Sequence, residues 1–113
     1  DYDATWGRDV NGEVMEDDYL RIEGFNTLTA RILDVKTFRH QYKNLLEVIL
    51  KNQFNVDYLK PKIQAMHDSI RPYVQKDPYK KDDIHIFDKE PAYILDFIEA
   101  RAKYIRRNLG SLD

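Results

Sequence analysis

The sequence predicts a mainly α-helical fold with an irregular or hairpin-forming N-terminal segment. Residues 26–113 show apolar side chains at helical spacing almost throughout. Residues 1–25 lack that spacing and contain three of the four glycines. With 113 residues, 42% of them hydrophobic and 34% charged, the chain has the composition of one folded domain or part of one, not of a disordered tail. We therefore divide it into an N-terminal segment, 1–25, and a helical subdomain, 26–113.

Composition also excludes several classes of function. The chain has no cysteine, which excludes disulfides, thiolate metal sites and a cysteine nucleophile. No apolar run approaches about 18 residues, so we expect no membrane-spanning helix and no membrane partner. The net charge of −2 argues against a dedicated nucleic-acid-binding protein. This charge is unevenly placed, because residues 1–25 hold eight acidic and two basic residues, whereas residues 26–113 hold 12 acidic and 16 basic ones.

A turn is predicted within the N-terminal segment. Asn11-Gly12 lies between Val10 and Val14, and this dipeptide favours a two-residue hairpin turn because both of its positions accept positive φ. We expect a short hairpin or an ordered loop near residues 8–15. The alternative is a plain surface turn.

The first two helices are predicted from capping residues and apolar spacing. Asn26 or Thr27 can cap a short helix that continues through Leu33, since their side-chain oxygens accept free N–H groups of a first turn. Asp34 or Thr37 can cap a second helix. The apolar side chains of that second helix are Phe38, Tyr42, Leu45, Leu46, Ile49 and Leu50, and its end is expected near Asn52.

A third helix is predicted between two prolines. Proline is tolerated only in the first turn of a helix, so we expect the helix to start close to Pro61 and to kink or end at Pro72. Asp77-Pro78 has the form of a cap followed by a proline at the first helical position, which predicts a short turn of helix through Asp83. The apolar face of the third helix consists of Leu59, Ile63, Met66, Ile70 and Val74.

The last helix has the clearest pattern. We expect Asp88 to cap it, Pro91 to lie in its first turn and Gly110 to end it. Its C-terminal half is rich in cations, which the helix dipole favours. The three long helices must pack against one another to bury their apolar stripes. The stripe of the last helix is Ile94, Ile98, Ala102, Ile105 and Leu109, and its cations are Arg101, Lys103, Arg106 and Arg107.

Asp1-Tyr2-Asp3 is the strongest candidate for a functional site. In an extended segment, side chains at i and i+2 point to the same side, so the two carboxylates repel each other unless a cation lies between them. A hard cation such as Mg²⁺ prefers such oxygens, with nucleotide phosphates completing its coordination shell. The alternative is a pair of solvated aspartates at a frayed end.

Acidic and histidine side chains elsewhere are weaker candidates. The run Glu16-Asp17-Asp18 is interpreted as a solvated loop. His40, His67 and His85 have no partner at metal-binding spacing, so each is interpreted as a surface or half-buried helix residue.

Serines and the C-terminal cations are weaker candidates too. Ser69 and Ser111 have no His and Asp neighbours in the sequence that would suggest a hydrolase triad. The cations at 101–107 either contact phosphate or an acidic partner, or they form a solvated helix face.

Several stretches of the chain match the motifs of one known family. The opening run DYDATWG is similar to a W-D-x-D-x-(T/S)-(F/W)-G signature without its first Trp, and NTLTARIL at 26–33 is similar to N-x-L-x-x-R-(L/I)-L. FRHQYKNLL at 38–46 is similar to F-R-x-x-Y-x-x-x-L, and residues 70–79 fit the C-terminal region of the same family. On these motifs the chain resembles the CotH family of bacterial spore coat proteins, which are regarded as atypical protein kinases.

The resemblance implies a function, a location and a site. It implies phosphoryl transfer from ATP to serine residues of other, serine-rich coat proteins. The location implied is the inner spore coat of a spore-forming bacterium, or the mother-cell cytoplasm during coat assembly. Asp1 and Asp3 would be ligands of the Mg²⁺ or Mn²⁺ ion that bridges the phosphates of ATP, and Trp6 and Gly7 would shape the segment behind them. The fold implied is the helical C-terminal part of a kinase-like C-lobe.

Other parts of a kinase are missing from the chain. The ATP-binding lysine, the acid that pairs with it, and the catalytic Asp with its Asn would all precede Asp1. Because the chain also opens on Asp1 rather than Met, we expect a C-terminal fragment that has no catalytic residue, binds no cofactor tightly and is inactive alone. Surfaces exposed by the truncation would favour self-association. The alternative function is a non-catalytic helical interaction module in spore coat assembly.

Overall fold

The chain is mainly helical, as predicted, in a computed structural model that describes residues 5–9, 11–13 and 26–113. Within these residues, none of the helices is both long enough and apolar enough to span a bilayer. The elements are helix α1 (Thr27–Asp34), helix α2 (Lys36–Asn52), helix α3 (Val56–Lys76), helix α4 (Ile84–Asn108) and the 3₁₀-helix η1 (Leu109–Leu112).

Asparagine caps start α1 and α3. The Asn26 side chain accepts a hydrogen bond from the Thr29 N–H, and the Thr29 hydroxyl accepts one from the Asn26 N–H, which completes a capping box and confirms the predicted start of α1. Asn55 caps α3 by accepting from the Tyr58 N–H at 2.9 Å. The prediction that Pro61 lies in the first turn of α3 was wrong, because this cap begins the helix five residues earlier and Pro61 lies in its second turn.

A single residue separates α1 from α2. Val35 occupies the N-cap position of α2 and makes no side-chain capping bond, so the predicted caps, Asp34 and Thr37, were wrong. Arg39 stabilises this junction instead, since its guanidinium donates to the carbonyl oxygens of Leu33 at 2.7 Å and Asp34 at 3.1 Å. These carbonyls belong to the last turn of α1, where they have no helical partner.

The connection between α3 and α4 differs from the prediction. α3 does not end at Pro72 but continues to Lys76. Residues 77–83 form a turn rather than a short helix. The Asp77 carboxylate accepts from the Tyr79 N–H at 2.9 Å, a local bond that competes with helix formation in so short a segment.

Helix α4 begins five residues before the predicted start. Asp83 is its N-cap and accepts from the His85 N–H at 2.9 Å, so the prediction that Asp88 caps the helix was wrong. Asp88 lies in the second turn, where its carboxylate binds Arg71 of α3. Pro91 therefore lies in the third turn rather than the first, and it is buried.

The core lies between α4, α2 and η1. Gly110 does not end the helical path as predicted, because the chain continues through η1. This 3₁₀-helix places Leu112 in the core, and Lys43 of α2 donates a hydrogen bond to Asp113 just after it. The buried cluster comprises Leu50, Ala102, Ile105 and Leu112, with Tyr42, Leu46, Phe54 and Leu109 packed against it. Ile98 is fully buried, which together with Ala102 and Ile105 confirms the predicted stripe of α4.

Only half of the apolar stripe of α2 packs against the core. Its inner edge packs on the core through Tyr42, Leu46 and Leu50. Its outer edge faces away from the core and comprises Phe38, Leu45, Val48 and Ile49.

Helix α3 contributes no buried residue to the core. Met66 and Ile70, which belong to its predicted apolar face, are exposed. Its contact with α4 is partly polar, through the Arg71–Asp88 ion pair and a stack of His67 on Phe87 with ring centroids 4.6 Å apart.

Candidate functional site

The predicted metal ligands, Asp1 and Asp3, lie outside the described residues, as does the acidic run Glu16-Asp17-Asp18. The first residue that the structure describes is Thr5, two residues after Asp3. The site that the geometry defines is therefore the segment that immediately follows the Asp-x-Asp pair, and its support on α4.

Thr5–Arg8 forms a tight turn with two consecutive residues in the left-handed region. The Arg8 N–H donates to the Thr5 carbonyl oxygen at 3.1 Å. The central residues have φ of 56° at Trp6 and 76° at Gly7, as a type I′ turn requires. A positive φ at a bulky residue such as Trp6 costs on the order of 1–3 kcal/mol, and such strain persists only where surrounding contacts offset it.

Phe97 of α4 supplies the apolar contact for this turn. The rings of Trp6 and Phe97 meet edge to face, with centroids 6.2 Å apart and planes at 85°. The Gly7 backbone lies so close to the same ring that an added Cβ would stand 2.7 Å from Phe97 Cε2. The turn thus rests directly on the ring, and only glycine fits at its second central position.

Arg8 provides the polar contact. Its guanidinium donates to both carboxylate oxygens of Glu90 on α4, at 3.0 and 3.2 Å. The same group lies over the ring of Tyr93, 4.0 Å from the centroid, in a cation–π arrangement. The hydrogen bond to Glu90 raises the pKa of Arg8 further above its usual range, so the guanidinium stays charged.

Tyr93 of α4 adds a hydrogen bond to the backbone of the turn. Its hydroxyl donates to the Trp6 carbonyl oxygen at 3.1 Å. Glu90, Tyr93 and Phe97 are spaced three and four residues apart, so they share one face of α4. We call this face the α4 platform; it holds the turn by an ion pair, a hydrogen bond and an aromatic contact.

A second turn follows directly. The Gly12 N–H donates to the Asp9 carbonyl at 3.0 Å, the Asp9 N–H donates to the Glu13 carbonyl at 2.9 Å, and Gly12 has a φ of 81°. The Asp9 carboxylate also accepts from the N–H groups of Asn11 and Glu13. A turn therefore lies within residues 8–15, where a hairpin or an ordered loop was expected. The Gly12 N–H bonds to Asp9, a pattern that differs from the two-residue turn expected from Asn11-Gly12.

The C-terminal cations of α4 do not form one patch. By helical spacing, Lys103, Arg106 and Arg107 lie on one side, and all three are exposed. Arg101 lies on the opposite side and is half-buried, and this burial lowers its pKa. Arg106 also lines an open cleft of about 620 Å³ at the corner between α2 and α3.

The histidine and serine side chains contact neighbouring helical groups. The His67 imidazole, 10% exposed, has Nε2 3.2 Å from the Asp88 carboxylate, whereas His40 and His85 are exposed. The Ser69 hydroxyl donates to the Met66 carbonyl within α3, and the Ser111 hydroxyl donates to the carbonyl of Asn108 at the end of α4. Among residues 5–9, 11–13 and 26–113, no group of three or more His, Asp or Glu side chains is arranged to hold a metal ion.

Comparison with known proteins identifies the family. A family model described as CotH kinase protein matches residues 1–105, a region that includes both the turn at Thr5–Arg8 and the α4 platform. The chain belongs to the CotH kinase family. Inner spore coat protein H of Bacillus subtilis (strain 168) is 56% identical over 112 residues, covering 99% of this chain and 31% of that protein. An inner spore coat protein H-like protein of the same strain is 34% identical over 100 residues, covering 88% of this chain and 32% of that protein.

This CotH chain therefore spans about a third of the length of the curated relatives it matches. The resemblance seen in the sequence is confirmed at the level of the family. The family motif includes Trp6 and Gly7, whereas the α4 platform was not predicted from the sequence. The signal was present, because Tyr93 and Phe97 are an i, i+4 aromatic pair beside the apolar stripe, but nothing local shows that such a pair meets residues some 90 positions away.

Proposed function

We propose that this chain is the C-terminal part of a spore coat protein kinase. The full-length protein transfers a phosphoryl group from ATP to serine residues of other coat proteins. Membership of the CotH kinase family supports this reaction class, and homology to an inner spore coat protein supports a location in the spore coat of a spore-forming bacterium.

Asp1 and Asp3 are the metal ligands in this proposal. Their carboxylates are hard oxygen donors of the kind that Mg²⁺ and Mn²⁺ prefer, so the donor set suits either ion. Such an ion, when bound, neutralises charge that develops on the phosphates during transfer. The part of this chain in the proposal is to supply these two carboxylates just ahead of a turn that is attached to α4.

The attachment of Thr5–Arg8 to the α4 platform is the observation that favours this role. Phosphoryl transfer depends on positioning and electrostatics, and displacements of about 1 Å lower rates strongly. The strained turn begins two residues after Asp3, and four contacts with α4 fix it: the Arg8–Glu90 ion pair, Arg8 over Tyr93, the Tyr93 hydrogen bond and Phe97. A plain linker would need neither the strain nor the contacts.

The 113-residue chain is inactive alone in this proposal. The lysine that contacts ATP phosphates and the catalytic Asp–Asn pair of kinases would belong to the part of the protein outside the matched third. The substrates are serine-rich coat proteins, and isolated copies of this chain self-associate through apolar surface.

The full-length protein tests the function. Purified protein with Asp1→Asn or Asp3→Asn is compared with wild type for transfer of labelled phosphate from ATP to a serine-rich coat protein in Mg²⁺. We expect at least one of the two variants to lose 100-fold or more in rate and to bind Mn²⁺ more weakly in a titration followed by electron paramagnetic resonance. Asp96→Asn, an exposed residue of α4, is the matched control and should behave as wild type.

Two results would contradict separate parts of this proposal. Absence of phosphate transfer by the wild-type protein under these conditions would contradict the kinase and favour the non-catalytic interaction module in coat assembly. Transfer that both variants leave unchanged would contradict the assignment of Asp1 and Asp3 as metal ligands.

A further inference from the structure

We infer that the outer face of α2 is an internal interface, covered in the full-length protein by the part of the polypeptide that the relatives have beyond the matched third. The face, called here the α2 outer face, consists of Phe38, Leu45, Val48 and Ile49. This inference concerns architecture and does not depend on kinase activity.

The α2 outer face is apolar and exposed. Its four side chains are 48%, 59%, 55% and 41% exposed, although all are large and hydrophobic. They lie beside Tyr42, Leu46 and Leu50, so α2 has an apolar stripe about twice as wide as the surface that α4 and η1 cover. Leu28 and Ile32 of α1, and Val35 at the junction of the two helices, are also exposed and apolar. Large apolar side chains grouped on one exposed helix face are typical of an interface.

The remainder of the same polypeptide is the occupant that the comparisons support. The relatives are about three times as long as the matched region, so a body of roughly twice this chain's size is available. A second copy bound through the same face is the competing occupant, and the experiment distinguishes the two by the oligomeric state.

Cysteine reactivity in the full-length protein tests the inference. Leu45→Cys and Val48→Cys are introduced separately into full-length protein from which native cysteines have been removed; this chain contributes none. Tyr79→Cys, at a position 89% exposed in the turn after α3, is the control. Reaction with a fluorescent maleimide is timed in the folded protein and in urea, and sedimentation gives the oligomeric state.

Each outcome of this experiment either supports or overturns the internal interface. If the interface is internal, monomeric full-length protein should react at Leu45→Cys and Val48→Cys at least tenfold more slowly than at Tyr79→Cys, and all three rates should converge in urea. Equal rates in the folded protein would overturn the inference. So would protection that disappears when a dimer is diluted to monomer, because the cover would then be a second copy.

Discussion

Gly7 combines a conformational and a steric requirement at a single position. Its φ of 76° lies in the left-handed region that other residues avoid, and its backbone touches the Phe97 ring. Gly12 has a similar φ of 81° but no neighbouring atom within 4 Å of an added Cβ. Comparison of substitutions at the two glycines therefore separates the energetic cost of a positive φ from the cost of a steric clash with Phe97.

Replacement of Gly7 by alanine should detach the N-terminal turn from α4. We expect Gly7→Ala to destabilise the attached state by about 1–3 kcal/mol, and Gly12→Ala by about 1 kcal/mol, because only the first adds a clash to the strain. Trp6 is the single tryptophan of the chain and contacts Phe97, so its fluorescence during urea titration reports the attachment. Equal shifts of the two variants would show that the close approach to Phe97 has no energetic weight.

At the scale of elements, α3 and α4 are joined by an ion pair that involves Asp88, the residue that the sequence predicted as the cap of α4. Arg71 donates to both oxygens of Asp88, at 2.7 and 2.8 Å, and His67 contacts the same carboxylate. The hydrogen bonds from Arg71 hold the pKa of Asp88 below its usual range. Because α3 has half-buried but no fully buried side chains, this polar contact adds to its attachment to α4.

The Arg71–Asp88 pair should make stability depend on pH in the acid range. A carboxylate whose pKa is lower in the folded state stabilises the fold above its unfolded pKa of about 3.9, and that contribution is lost as the pH falls through the lower folded value. Asp88→Asn should therefore lower the melting temperature at pH 6, and the difference from wild type should shrink towards pH 2. Thermal melts followed by circular dichroism test this, with Asp96→Asn as the control; a difference that is constant from pH 6 to pH 2 would contradict it.

At the scale of the whole molecule, stability rests on a small core at one place. Leu50, Ala102, Ile105 and Leu112 form its buried cluster, and Ile98 is fully buried one turn before Ala102 on α4. With so little buried apolar surface, a single defect in this region should affect the entire chain.

Ile98→Asp should unfold the chain. An unpaired carboxylate in a fully buried position costs several kcal/mol, a large fraction of the stability of a domain of this size. Ile86→Asp, on the same helix but at a position 50% exposed, should change the unfolding free energy by less than about 0.5 kcal/mol. Circular dichroism at 222 nm and urea titration measure both; an Ile98→Asp protein that melts like wild type would mean that the register of α4 is wrong.

The sequence by itself determined that the fold is mainly helical, the buried stripe of α4, the cap of α1 and the family of this protein. These features depend on residues within a few positions of one another, or on motifs that are compared directly. The tertiary structure alone decided that Asp83 caps α4 while Asp88 binds Arg71, that half of the α2 stripe stays uncovered, and that Glu90, Tyr93 and Phe97 receive the N-terminal turn. The physical reason is that Asp83 and Asp88 have similar neighbours in the sequence, as do the two halves of the α2 stripe. They differ only in which residues from distant parts of the chain contact them. The spacing of residues along the chain does not specify those contacts.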